Sequence, residues 1–335
     1  MSGQGHHIFA DELARFAVEA GEPRLAAIAR QVAAPLRVAV LGRRGVGRST
    51  VAHALASAGL AVTASPANAE VDVYVIAEVV KPEDRDAIAA TRNPVLMVLN
   101  KADLSGFAAS GPIAAARSRC ARFSELTGAP TEPMVGLLAV AALDGLLDDS
   151  LWAALRLLAT RPADMRSPDG FLAGAHPVPS AVRLRLLETL DLFGITLAVA
   201  AIRRAAPAAA IGDLLRHVSG VDAVAEKVAA LGTEARYRRV LDAVAELETL
   251  AVTDDRISDF LSADDTVIAR MAAAVEVIEA TGMQVDARDD PPAHLRRAVR
   301  WQRYSRGPAA AIYRSCGADI ARGSLRLWSH TGGSP

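Results

Sequence analysis

The feature that most constrains this chain is a glycine-spaced loop held between an apolar run and a helical stretch. Leu36 to Leu41 (LRVAVL) is short and Val-rich, the look of a strand buried in a parallel sheet. Gly42-Arg43-Arg44-Gly45-Val46-Gly47-Arg48-Ser49-Thr50 follows, and an Ala-rich helix is expected over Thr50–Ala58. The loop fits G-x-x-x-x-G-K-[ST] at every fixed position except one, where Arg48 stands for Lys. Glycines in such a loop let backbone N–H groups converge on phosphate oxygens, and the following helix directs its positive dipole end there. Gly42, Gly45, Val46, Gly47, Arg48, Ser49 and Thr50 are therefore candidate phosphate-binding residues. Arg48 would reach the outer phosphates, and the Ser49 hydroxyl would ligate Mg²⁺. The bland alternative is a Gly-rich strand-to-helix turn with no ligand.

Around this loop, strand and helix signals alternate. Further strands are expected at Leu60–Ala64, Val71–Ala77, Val95–Leu99 and Met134–Val140. Helices are expected at Pro82–Thr91, Ile113–Leu126 and Asp148–Ala159. This alternation predicts an α/β fold with a mostly parallel sheet and flanking helices. Residues 8–33 read as one or two helices that precede it. Residues 161–180 hold four Pro and two Gly and read as a linker. Beyond them the pattern is helical: Val182–Ala205, Ile211–His217, Val221–Leu231, Ala235–Leu250, Ile257–Leu261 and Val267–Ala280. The expected organisation is an N-terminal helical segment (1–34), an α/β domain (35–160), a linker (161–180) and an all-α domain with a basic tail (181–335).

A second motif ends the strand at Val95: Val95-Leu96-Met97-Val98-Leu99-Asn100-Lys101-Ala102-Asp103. Asn100 to Asp103 resembles the N-K-x-D motif of P-loop GTPases, in the right order after the phosphate loop. The resemblance covers roughly residues 35–160. It implies a P-loop NTPase sheet that takes GTP or GDP with Mg²⁺. It also implies that Asp103 accepts from the guanine N1 and N2 groups, Asn100 supports loop and base, and the Lys101 stem lies along the base. Val140-Ala141-Ala142 is a weaker match to the segment that offers guanine O6 a backbone N–H, here from Ala141. A plain strand end reads equally well.

The departures from that family matter as much. Only 50 residues separate Ser49 from Asn100. No switch Thr is evident there, and no D-x-x-G occurs between residues 50 and 100. Asp72 opens its strand at the wrong edge to replace the missing Asp, and Asp169 lies in the linker. Glu78 sits at the correct edge, as a stand-in Mg²⁺ partner or a solvated loop carboxylate. Phosphoryl transfer depends on positioning and charge neutralisation at the outer phosphate. Hydrolysis is therefore expected to be slow or absent, with no catalytic residue assignable. The expectation is a degenerate GTPase-like protein (a pseudo-GTPase) with weak or vestigial guanine-nucleotide binding. It would act as a regulator or scaffold through a protein partner, another GTPase or a second copy of itself. One alternative is a slow GTPase that a partner completes. Another is a basic-tailed adaptor for nucleic acid or anionic membrane.

The adaptor alternative rests on residues 294–330, where eight Arg face one acid, Asp319, among Trp301, Tyr304, Tyr313 and Trp328. Composition tempers it, because 34 of the 37 basic residues of the whole chain are Arg. The same bias makes Arg48 a weak sign of inactivation, and it makes Lys101, one of three lysines, a pointed one. Acidic and basic residues nearly balance, which argues against a chain that coats nucleic acid with its whole surface. The helical half, Ser219–Leu250 above all, loosely resembles bacterial dynamin-like GTPases. Two cysteines, Cys120 and Cys316, are too few for a disulfide framework or a four-ligand zinc site. The seven His show no metal spacing beyond adjacent His6 and His7, and His53 is expected to be a packing residue. The apolar run Leu192–Ile202 has 11 residues, against the ~20 that span a bilayer. A soluble cytoplasmic protein is expected.

Overall fold

A computed structural model describes residues 4–106 and 111–331. The first three residues of the N-terminal segment and the last four of the tail lie outside the described residues. Contacts divide the chain into two compact units, Arg37–Val228 and Met1–Leu36 with Ala229–Pro335.

In chain order, two helices come first, α1 (Gln4–Ala20) and α2 (Pro23–Ala33). The α/β unit then runs β1 (Arg37–Gly42), α3 (Arg48–Ser57), β2 (Ala61–Thr63), β3 (Val71–Ala77), α4 (Pro82–Ala90) and β4 (Val95–Asn100). It continues through α5 (Pro112–Thr127), β5 (Thr131–Pro133), α6 (Gly136–Leu143) and α7 (Asp149–Thr160). The five strands form one parallel sheet in the order β2-β1-β3-β4-β5. The central strand β3 is buried on both faces, as the apolar run that follows Asp72 in it requires. Tyr74 and Ile76 pack with Met97 and Leu99 in one core, while Val73 and Val75 alternate to the other face.

One expected strand is a helix. Met134–Val140 reads as a strand because seven residues of it are nearly all apolar, a length and composition that suit either element. The strand instead ends early, at Pro133 on the sheet edge, and Gly136–Leu143 forms α6.

The expected linker is also a folded part of the α/β unit. It contains α8 (Pro168–Ala173), whose first turn is capped by the Ser167 hydroxyl accepting from Gly170 N–H at 3.0 Å. Phe171 is fully buried in the same core as Ile76 and Leu99. Three more helices belong to this unit wholly or mostly: α9 (Ser180–Arg203), α10 (Ala208–Ser219) and α11 (Val221–Leu231). The apolar faces of α9 and α10, through Leu186, Ile195, Ile211 and Leu215, complete that core. α9 breaks at Asp191, where φ is +54° and the carboxylate accepts from Leu192 N–H at 2.6 Å.

The second unit is all helical: α1 and α2 with α12 (Thr233–Ala251), α13 (Asp255–Ser262), α14 (Asp264–Ala280), α15 (Pro291–Ser305) and α16 (Ala311–His330). The expected separate N-terminal segment is thus part of this unit. Phe9, Leu13, Leu25, Ile28 and Val32 share one core with Tyr237, Leu247, Val277, Trp301 and Ile320. The basic tail is two packed helices rather than a free arm. Trp301 is buried, Arg297 donates to Ser324 Oγ at 2.8 Å and to the Asp286 carbonyl at 2.7 Å, and Arg326 pairs with Asp264. No helix among the described residues is long and apolar enough to cross a membrane.

Candidate functional site

The strand order reverses direction at β1, with β2 on one side and β3 on the other. In open parallel sheets ligands bind beside such a point, at the carboxyl ends of the strands. Both sequence motifs arrive at this edge. Gly42 ends β1 opposite Val75, and Asn100 ends β4 opposite Ala77.

The loop glycines have a structural reason. At Gly42 φ is +140°, and a Cβ would lie 2.4 Å from the Val75 carbonyl oxygen. At Gly47 φ is +83°, and a Cβ would lie 2.2 Å from Asn100 Nδ2. Val46 is buried, and its carbonyl accepts from Asn100 Nδ2 at 2.9 Å. The first bond of α3 runs from Val51 N–H to the Gly47 carbonyl. Among the described residues, none of the backbone N–H groups from Arg44 to Thr50 donates to protein. The result is a turn of unspent donors in front of a helix N-terminus, the arrangement that suits an anion.

The side chains of this loop point to different tasks. Arg48 and Ser49 are exposed, and an Arg48 Nη1 reaches back 3.5 Å to the Gly42 carbonyl. Thr50 is turned toward α6, its methyl 3.4 Å from where a Cβ on Gly136 would stand. Arg43 lies across β3: its Nε donates to Asp84 Oδ1 at 2.8 Å.

At the second motif, Asn100 is buried and uses both ends of its amide. Besides the bond to Val46, its Oδ1 accepts from Gly136 N–H at 3.0 Å. Lys101 takes a left-handed conformation (φ +55°), and Ala102–Leu104 form a short turn pinned by Ala102 N–H to the Met134 carbonyl at 3.1 Å. The Asp103 carboxyl is pushed above the usual aspartate range by burial, with the nearby Asp191 carboxylate adding to it. Asn100, Lys101, Asp103 and the glycine loop (42–50) therefore share one edge of the sheet.

Ala141 does not join them as a strand end would. It sits inside α6, buried, because the chain turns into that helix at Gly136. The segment that follows β5 beside Asn100 is Met134–Gly136, seen only once β5 is placed at Thr131–Pro133. His53 is not a packing residue: its exposed ring lies 2.6 Å from Asp144 Oδ2. Asp72 lies at the start of β3, buried, and accepts from Asn93 Nδ2. Glu78 follows the carboxyl end of β3 with φ +64°.

Sequence reading missed Asp84. Its carboxylate is fully buried and accepts from Arg43 Nε, Tyr74 OH at 3.0 Å and Lys81 N–H at 2.8 Å. Burial alone would raise its pKa; the bonds from Arg43, Lys81 and Tyr74 outweigh that and hold it below the usual range. The reverse holds for Tyr74, pushed up to about 12 by burial and by the Asp84 carboxylate. The available signal was an acid at the third position of a Pro-led helix, but only as a local cap.

The donors fit a phosphate chain. For Mg²⁺ the loop offers the Ser49 hydroxyl, and this ion commonly takes its other ligands from phosphates and water. No group of three or more His, Cys, Asp or Glu among the described residues could hold a metal on its own. No family model matches this chain, and no curated protein or solved structure matches it.

Proposed function

We propose that the α/β unit is a degenerate P-loop GTPase-like module. It binds a guanine nucleotide at the edge shared by residues 42–50 and 100–103, and it works as a regulatory or scaffolding partner. The observation that carries this reading is the Asn100 amide, which holds the phosphate loop and the base-side motif in one piece while the loop N–H groups stay unspent. Phosphate oxygens would take those N–H groups and Arg48. An ionised Asp103 would accept two N–H groups of guanine, a pattern adenine does not present. Ser49 would help hold Mg²⁺, which would supply charge neutralisation for the phosphates. Without a D-x-x-G segment, no residue is assigned to orient water, so turnover is slow or absent unless a partner supplies one.

Calorimetry with GTP, GDP and ADP, with and without Mg²⁺, tests this. Guanine-selective binding supports it, and Mg²⁺ dependence with partner-stimulated turnover would favour the slow-GTPase form. No binding at millimolar nucleotide would sink it.

One observation favours the adaptor reading. The outer face of α15 carries Arg296, Arg300 and Arg303, with Arg306 at its end, beside exposed Leu295 and Val299. Among the described residues, Arg300, Arg303 and Arg306 have no carboxylate within ion-pair distance. Binding to anionic vesicles or DNA that weakens steeply with salt would support that role.

A further inference from the structure

The phosphate loop is gripped at two points, and only one of them belongs to the base-side motif. Asn100 holds the Val46 carbonyl. Three residues earlier, Arg43 is held by Asp84, whose side chain is fully buried. Among the described residues Arg43 is the one cation within ion-pair distance of that carboxylate. Tyr74 OH and Lys81 N–H also donate to it, so the carboxylate cannot swing away without leaving buried donors unmet. Between the two grips lie Arg44 and Gly45, the first residues whose N–H groups are unspent.

A nest of backbone donors binds an anion well only when its shape is fixed beforehand, because otherwise ordering the loop opposes binding. We propose that Asp84 is a positioning residue for the phosphate loop: through Arg43 it holds Arg44 and Gly45 in the anion-ready conformation and so sets affinity for the phosphate chain. This rests on the nucleotide reading above and adds residues outside both motifs. Arg43 here acts through its bond to Asp84 and not as a phosphate ligand. Its Nε–H is committed to a buried carboxylate, so breaking that bond is expected to loosen the loop more than a freed guanidinium adds a contact.

The test is titration of the full chain, wild type and Asp84→Asn, with GDP, ADP and inorganic pyrophosphate. Asp84→Asn is expected to weaken GDP and pyrophosphate by a common factor of about tenfold or more, as loss of a supporting partner does at other binding sites. The preference for GDP over ADP should not change, because Asp103 is untouched. Tyr74→Phe, which leaves the Arg43–Asp84 bond in place, should change affinity little. A merely structural role would lower the unfolding midpoint of Asp84→Asn but leave pyrophosphate affinity of the folded chain unchanged; that result overturns the proposal. Tighter binding, from a freed Arg43 contacting phosphate, overturns it too. If Asp84→Asn does not fold, the pair Arg43→Met with Asp84→Asn leaves no buried charge unpaired and reads the same quantity. Wild-type binding of pyrophosphate without GDP would sink the guanine reading alone, with the Asp84 comparison still decided on pyrophosphate. Wild-type binding of neither would sink both.

Discussion

Asn100 and Val46, 54 residues apart, are joined by a 2.9 Å hydrogen bond from the Asn100 amide to the Val46 carbonyl. The other end of the same amide accepts from Gly136 N–H, so one buried side chain ties together the loop after β1, the end of β4 and the first turn of α6. The Asn is chemically required, because one site needs a donor and the other an acceptor.

Asn100→Ala should therefore cost stability as well as binding. It leaves the Val46 carbonyl and the Gly136 N–H without partners, at about 1–3 kcal/mol for each buried group. Asn100→Asp should fail similarly, since it keeps the acceptor but loses the donor. Urea unfolding of the three proteins, followed by GDP titration, checks both effects. An Ala variant within 0.5 kcal/mol of wild type, by the usual scatter of surface changes, would show that the clamp is dispensable.

The parts of the fold that were legible in sequence are those written in local periodicity. β1, its glycine loop, β3 and the strand ahead of Asn100 each announce themselves by an apolar run ended by residues with a special backbone role. The edge of the sheet was harder. The stretch from Met134 is apolar without a period, and what decides between strand and helix is Pro133 at the edge and the capture of Gly136 by Asn100. Residues 161–180 looked like a linker by Pro and Gly count, yet one aromatic, Phe171, anchors them. Long-range choices left no local trace: the Arg43–Asp84 pair spans 41 residues, and the joining of α1 and α2 with α12–α16 spans most of the chain. In the basic tail, the use of Arg297 and Arg326 inside the helical unit left no trace in the arginine count.

Nucleotide selectivity should depend on pH through Asp103. Burial and the neighbouring Asp191 raise its pKa above the ordinary value near about 4. On the guanine reading only the ionised carboxylate accepts two N–H groups, so a preference for GDP over ADP should hold above the raised pKa and fade as pH falls through it. The loss should begin at a higher pH than for an unperturbed aspartate. For stability the sign is opposite. The folded state holds this proton more tightly than the unfolded chain, so Asp103 lowers stability as pH rises through the same window. Asp103→Asn should remove the pH dependence of selectivity along with most of the selectivity. Calorimetric titrations of GDP and ADP across mildly acid pH read this directly. A GDP:ADP ratio that stays flat in wild type, or survives in Asp103→Asn, counts against the guanine assignment.

Phe171→Ala should destabilise the α/β unit by about 3–5 kcal/mol, the usual cost of emptying a fully buried phenylalanine site. A true linker would tolerate the change. Arg183 makes the site stiffer still: its guanidinium is buried, donates to the Phe171 carbonyl and lies 5.9 Å from the Phe171 ring centroid. Differential scanning calorimetry can resolve the transition. Proteolysis after residue 161 should be slow in wild type and fast in the variant.

In the helical unit, Asp319 is the residue whose loss should cost most among its polar groups. Its buried carboxylate accepts from Tyr237 OH at 2.8 Å and from Arg270 at 2.8 Å, with Arg322 at 3.2 Å on the outer side. Arg270 is itself nearly buried, so Asp319→Ala strands a cation in the core, at about 3–5 kcal/mol. Tyr237→Phe removes one hydrogen bond and leaves the ion pair intact, which should cost only about 1–2 kcal/mol. The double variant Asp319→Leu with Arg270→Met removes both charges together and should recover much of the loss, because a well-packed apolar pair replaces a buried ion pair at little cost. Guanidinium unfolding followed by the near-ultraviolet signal of Trp301 ranks the three. If Asp319→Ala proves no worse than Tyr237→Phe, Arg270 finds another partner and the network is not the strut of this unit.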